Sequence, residues 1–209
     1  AQELARRFDA EVVAKTGAAY VQAKLTELRE RHSRMGDSRY LVEPNLKEGQ
    51  GGLRDLQTLV WIARFFYRID DLGEVVSRGI VSATEYRRLI RAQAFLTKVR
   101  CHLHYVTGRP EERLTFDVQT EIAHRMGYTD RAGQQAVERF MKFYFLTVKD
   151  VGDVTRIFFR AVEEEVESRS LLRLPRIRRK RTRDGFVTDG KRVTVEDPDV
   201  FWQDPVRIL

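Results

Sequence analysis

The segment Glu43-Pro44-Asn45-Leu46-Lys47-Glu48-Gly49-Gln50-Gly51-Gly52-Leu53-Arg54-Asp55 places three glycines, two cations and three carboxylates within thirteen residues. Closely spaced glycines let a backbone turn its amides toward an anion and permit close approach. A helix start just beyond them adds partial positive charge. Gly49, Gly51 and Gly52 supply the glycines, Lys47 a point charge and Arg54 a planar fork, a composition suited to phosphate. Glu43 closes a short β-prone run and is placed to help hold a divalent metal. The same residues admit a purely structural reading, in which Arg54 pairs with Glu43 or Asp55 and fixes a tight strand-to-helix turn. The spacing matches neither the P-loop G-x-x-x-x-G-K-[ST] nor the dinucleotide G-x-G-x-x-G.

The elements that must position this segment are mainly helical. Leu4 and Phe8, then Ala18, Val21, Leu25 and Leu28, recur at steps of three and four, with Gly17 a point of interruption and Gly36 a stop. Arg39 to Glu43 predicts a short strand near 40–43, ended by Pro44. Asp55 is placed to cap a helix whose apolar face is Leu56, Leu59, Val60, Ala63, Phe66 and Tyr67. Ser82-Ala83-Thr84-Glu85 has the pattern of a capping box, followed by Leu89, Ala92, Leu96, Val99, Leu103 and Val106 as far as Gly108. Asp117 predicts the cap of a shorter helix ended by Gly127. One long helix is expected over 131–168, with Phe140, Phe143, Thr147, Val151, Val154, Phe158 and Val162 facing inward and Gly152 a place to bend. Asp189-Gly190 between two β-prone runs predicts a small hairpin near 186–195. The expected fold is an irregular, mainly α bundle around the long helix, with that short strand and hairpin.

Composition narrows the class. A chain of 209 residues with 42% hydrophobic content can bury a core, as one domain or one domain with a flanking segment. With 13 glycines and 5 prolines it is neither collagen-like nor low-complexity. No run approaches the ~18–20 apolar residues that span a bilayer, and the first residues lack a signal-peptide core. Cys101 is the single cysteine, so no internal disulfide forms; its expected home is an apolar helix surface, and the chain reads as cytoplasmic.

The net charge of +7 is local. Arg173, Arg176, Arg178, Arg179, Lys180, Arg181 and Arg183 account for it and read as a solvated interdomain linker. Cations without interleaved aromatics argue against nucleic acid. His102 and His104 lie two apart on a helix and face different ways, which argues against a shared metal. Phe65-Phe66-Tyr67 and Phe143-Tyr144-Phe145 read as core, and Arg109, Glu111, Arg113 and Asp117 as an ion-pair network anchoring their loop.

Glu43-Pro44-Asn45-Leu46-Lys47-Glu48-Gly49-x-Gly51-Gly52-Leu53-Arg54-Asp55-Leu56-Gln57 resembles the signature of the bacterial PII uridylyltransferase/uridylyl-removing enzymes. Further likeness lies in Arg91-Ala92-Gln93-x-Phe95-Leu96, in Gly108-Arg109-x-Glu111-x-Arg113-Leu114-x-Phe116-Asp117, and in Ala136 to Met141. The resemblance implies a larger enzyme with four parts: a nucleotidyltransferase domain, a helical domain, an HD-type phosphohydrolase domain and glutamine-sensing ACT domains. It implies UMP transfer from UTP to a tyrosine of the PII protein, with magnesium, and removal by the HD domain. The Gly-Ser pair and the His-Asp dipeptide that begin the two catalytic sites are absent, so the magnesium ligands and primary catalytic residues are expected mainly outside this chain.

On this resemblance, 1–42 is a helical arm and short strand at the edge of the nucleotidyltransferase domain. Residues 43–168 are the helical domain, and 169–209 a basic linker and hairpin leading to the HD domain. Glu43 resembles a third carboxylate of the transferase site, catalytic and metal-binding, with Lys47, Gly49, Gly51, Gly52 and Arg54 as nucleotide-binding residues. The isolated chain is expected to be inactive, and no membrane partner is expected. Two other readings stay open: a helical module of another nucleotidyltransferase, adenylyltransferase-like, and a non-enzymatic helical module that binds acidic partners.

Overall fold

A computed structural model describes residues 2–36, 41–69, 71–171, 180–181, 186–189 and 192–195. Two compact units divide the chain, Ala1–Glu164 and Glu165–Leu209. The division expected between 42 and 43 therefore falls inside the first unit.

Helix α1 (Gln2–Phe8) continues through a π-helical turn, Asp9–Val13, into α2 (Ala14–Arg34). The interruption thus precedes Gly17, which lies within α2 against Phe66. Next come α3 (Leu53–Tyr67), a single turn α4 (Glu74–Ser77), α5 (Ala83–Thr107), α6 (Phe116–Arg125) and α7 (Ala136–Leu171). At 1.5 Å per residue α7 is on the order of 50 Å long. It begins after the expected 131, because Arg131 and Gln134 exchange backbone hydrogen bonds in a turn of their own.

Apolar periodicity and caps explain these helices. Val21, Leu25 and Leu28 of α2 are buried, and α2 packs on α3, whose Leu56, Leu59, Ile62, Ala63 and Phe66 are buried in turn. Leu89, Ala92, Leu96, Val99 and Leu103 line the inner face of α5, which packs on α3 and α6. From α7, Phe140, Val151, Val154, Phe158 and Val162 are buried, and Phe158 meets Tyr67 edge-on at 6.2 Å. Each buried side chain of this size contributes about 1.5–3 kcal/mol. Phe143 departs from the expected face: it is exposed, with one edge on Phe95 at 4.8 Å. Cys101 also departs, lying exposed on the outer face of α5.

The box at Ser82 is complete: its hydroxyl accepts from Glu85 N, and Glu85 Oε2 accepts from Ser82 N at 2.7 Å. Two other caps differ from expectation. Helix α3 starts at Leu53 with Gly52 as its N-cap, and α6 starts at Phe116 with Thr115 as its N-cap, so Asp55 and Asp117 lie in first turns.

The strand expected near 40–43 is absent from the described residues 41–43. What pairs there is a single bridge, Asn45 with Arg113, in which Leu46 N donates to Glu112 O and Leu114 N to Pro44 O. Pro44 has no N–H to extend a ladder. In the second unit β1 (Lys180–Arg181), β2 (Phe186–Asp189) and β3 (Arg192–Val195) pair antiparallel in that order. Val187 stands opposite Thr194, and the connecting residues 190–191 lie outside the described residues. The rest of the basic run, beyond Lys180 and Arg181, lies outside them too.

Candidate functional site

The segment 44–55 is built on one side chain at its start and one at its end. Asn45 Oδ1 accepts from Lys47 N at 3.0 Å and Glu48 N at 2.7 Å, an Asx turn that starts the bend. Gly49 N then donates to Asn45 O, Gly52 N to Gly49 O, Leu53 N to Leu46 O and Arg54 N to Lys47 O. At the far end Asp55 Oδ2 accepts from Gly51 N at 2.8 Å. The amides of Lys47, Glu48, Gly49, Gly51, Gly52, Leu53 and Arg54 are thus engaged within the protein.

The glycines are required by close approach. Gly51 has φ +76°, and a methyl group there would overlap the carbonyl oxygen of Val148 in α7. A methyl group on Gly52 would stand 2.8–2.9 Å from three carbonyl oxygens of its own loop. The loop backbone is therefore pressed against α7 at Gly51, where only glycine fits.

Asp55 is the hub. Its side chain is 1% exposed and forms a salt bridge with Arg31 Nη2, itself from a buried side chain on the last turns of α2. His32 Nε2 lies 3.0 and 3.1 Å from the two Asp55 oxygens. One carboxylate so joins α2, the glycine segment and α3. Removing a buried carboxylate from under an arginine is strongly destabilising, because it leaves that charge unpaired. In the sequence, Arg31 and His32 are marked only by their place at the end of an amphipathic helix.

Lys47 and Arg54 stand together on the outer side. Arg54 Nη2 is 3.1 Å from Glu48 Oε1, and Lys47 Nζ is 3.8 Å from the same oxygen. Arg54 also donates to Gln57 Oε1 at 3.0 Å and lies over the Trp61 ring, which Lys24 Nζ covers at 4.9 Å. Arg31 Nε is 3.9 Å from Glu48 Oε2. Four cations, Lys24, Arg31, Lys47 and Arg54, thus face three carboxylates, Glu27, Glu48 and Asp55. A net positive charge remains on a rigid support. Arg54 pairs with Glu48, and the pairing with Glu43 or Asp55 considered from sequence is not formed.

Glu43 is elsewhere. Its Oε1 accepts from Phe116 N at 3.0 Å, so it caps α6 from a distant part of the chain, where Thr115 makes no side-chain cap. Gln119 Nε2 donates to Val42 O and Leu114 O, and Arg100 grips Glu112 through Nε and Nη2. These contacts fix residues 42–46 to the α5–α6 connection. Of the expected network there, Arg109 pairs with Glu111 at 2.7 Å. Glu111 Oε1 accepts from Arg113 N and Glu112 N, which hold its carboxyl below the usual range. Arg113 and Asp117 join no ion pair among the described residues. Leu41, Val42 and Phe116 leave apolar surface exposed beside Glu43.

No group of three or more His, Cys, Asp or Glu among the described residues could hold a metal ion. Glu43 is a lone carboxylate with one oxygen engaged by an amide. These residues do not by themselves make a magnesium site. No helix among the described residues is long and apolar enough to cross a membrane.

With this geometry in hand, the comparisons with known proteins are specific. A family model described as GlnD PII-uridylyltransferase matches residues 19–159, which include all of the glycine segment and helices α3 to α6.

The chain belongs to the GlnD PII-uridylyltransferase family.

It is 53% identical over 209 residues to a bifunctional uridylyltransferase/uridylyl-removing enzyme of Azospirillum brasilense, covering 99% of this chain and 22% of that protein. A protein with the same description from Bradyrhizobium sp. strain ORS 278 is 52% identical over 216 residues, covering 99% and 23%. One from Rhodospirillum rubrum is 52% identical over 208 residues, covering 99% and 22%. The chain thus spans less than a quarter of the length of these curated relatives. No solved structure matches.

Proposed function

We propose that this chain is the interdomain helical module of a bifunctional enzyme that transfers UMP from UTP to a tyrosine of PII and removes it again. In this reading the Lys47–Arg54 edge faces the triphosphate or an acidic part of PII, in the cytoplasm. The observation that carries it is the cation excess on a support fixed by Asp55, Asn45 and the Val148 backbone. The loop amides are engaged, so phosphate is met by the Lys47 ammonium and the Arg54 guanidinium, and Gly49, Gly51 and Gly52 serve by shaping the bend. Arg54 exchanges its bond to Glu48 for one to the anion, as a planar fork does readily.

Glu43 contributes apart from that edge, at the cap of α6, where the exposed Leu41, Val42 and Phe116 suit a surface covered by another part of a longer chain. Magnesium and the primary catalytic groups belong to parts of the enzyme beyond this module; Glu43 adds at most one oxygen.

The test is made in a full-length relative carrying Lys47→Ala or Arg54→Ala. We expect KM for UTP or for PII to rise at least about tenfold, the loss of one charge-assisted contact, with the melting temperature retained in Lys47→Ala. Unchanged kinetics in both variants would refute the phosphate-facing edge. The isolated chain is expected to show no transfer from radiolabelled UTP to PII.

A further inference from the structure

Helix α5 has an outer face unlike that of its neighbours. Arg87, Arg91, Ala94, Lys98, Cys101 and Tyr105 are all exposed, and Tyr105 is 78% exposed. Their spacing alternates four, three, four, three and four residues, which follows the helix's own period and sets them in one stripe along its outer face. The seam runs about 27 Å.

Several solvated helix faces in this protein pair charges along the helix. Arg78 with Glu74, Arg125 with Glu121, Lys149 with Asp153 and Arg160 with Glu164 all do so at one-turn spacing. Helix α5 carries five cations and a single carboxylate, Glu85, which is engaged at the capping box. Arg88 leans toward Asp150 of α7 at 3.9 Å, and Arg100 is held by Glu112. Among the described residues no carboxylate pairs with Arg91 or Lys98, and Arg87 reaches only the Thr84 hydroxyl. Cations left free along a seam, with a small residue at the centre and a bare tyrosine at one end, make a surface complementary to an acidic helix. Tyrosine and arginine are the residue types that anchor protein contacts. Single-stranded nucleic acid would call for aromatics spaced among the cations, and the seam has one, at its end.

We propose that the outer face of α5 docks an acidic helical segment of a partner protein, with Arg87, Arg91 and Lys98 supplying the charge and Tyr105 the anchor. This rests on α5 alone and is independent of the function proposed above.

The experiment uses the 209-residue chain and a fluorescein-labelled helical peptide of repeated Glu-Ala-Ala-Glu-Ala-Ala-Ala, read by anisotropy at low salt. The combined variant Arg87→Glu, Arg91→Glu and Lys98→Glu is expected to weaken binding at least about tenfold. The variant Arg6→Glu, Arg34→Glu and Lys142→Glu makes the same change in net charge at exposed positions, and is expected to stay within about twofold. Tyr105→Ala is expected to weaken binding about fivefold, with the salt dependence unchanged. All are surface changes that leave the circular dichroism spectrum intact. Equal loss in the two charge-reversed variants, no loss in either, or tighter binding of oligouridylate through the same three residues would each overturn the proposal.

Discussion

The glycine segment with its flanking helices and the outer face of α5 are both rich in cations, and they treat them in opposite ways. In the first, Arg31 is buried on Asp55, Arg54 shares Glu48 and the Trp61 ring, and Lys24 lies between Glu27 and that ring. In the second, Arg91 and Lys98 have no carboxylate among the described residues. A charge taken out of water must be paired, whereas an exposed one gains little from a partner. The pairing in the glycine segment is therefore a condition of the fold. The free charge along α5 contributes almost nothing to stability and is available for something else.

The contrast can be broken by mutation, measured by urea unfolding of the 209-residue chain. The largest effect is expected from Asp55→Ala, which leaves Arg31 buried and Gly51 N without its acceptor; the loss should be about 3–5 kcal/mol. Replacing Arg31 and Asp55 together by Met and Leu should recover much of it, since the uncompensated charge is the source. Gly51→Ala comes next, at about 2–4 kcal/mol, from the overlap with the Val148 carbonyl and the positive φ. A smaller value would mean that the loop does not press on α7.

Glu43→Ala should cost about 1 kcal/mol as a lost cap of α6, and Glu43→Gln less, because an amide oxygen still accepts from Phe116 N. The charge-reversed α5 variant should shift stability by no more than about 0.5 kcal/mol. A larger change would show that the seam is part of the fold after all.

A pH titration sharpens the same contrast on the buried side. Burial pushes the Tyr144 hydroxyl well above its ordinary value of 10.0. The raised value means that the native state keeps its proton while the unfolded chain loses it. Stability from this group is thus complete below pH 10 and declines as pH rises beyond it. Tyr144→Phe should flatten that alkaline decline.

The helices were legible because apolar spacing along α3, α5 and α7 is strong, and the box at Ser82 announces its helix by chemistry local to four residues. Misreadings arose where the partner is distant. Glu43 beside a β-prone run looked like a strand end, yet its acceptor role is set by Phe116, far along the chain. Asp55 looked like a cap, yet its partners include Arg31 and His32 on another helix. Lys47, Arg54 and the glycines were legible as a group, because their types and spacing are local. Which amides would remain free was not, since that depends on the side-chain acceptors Asn45 and Asp55 closing back on the loop.

The engaged amides of residues 47–55 have a mechanical consequence. Although this stretch enters α3 from irregular backbone, the amides of residues 47–49 and 51–55 each have an acceptor in the protein, and both its ends are tied to other elements. Its deuterium uptake should be as slow as that of the helices around it. Residues 45–55 then move as one piece with α3 and carry Lys47 and Arg54 with them.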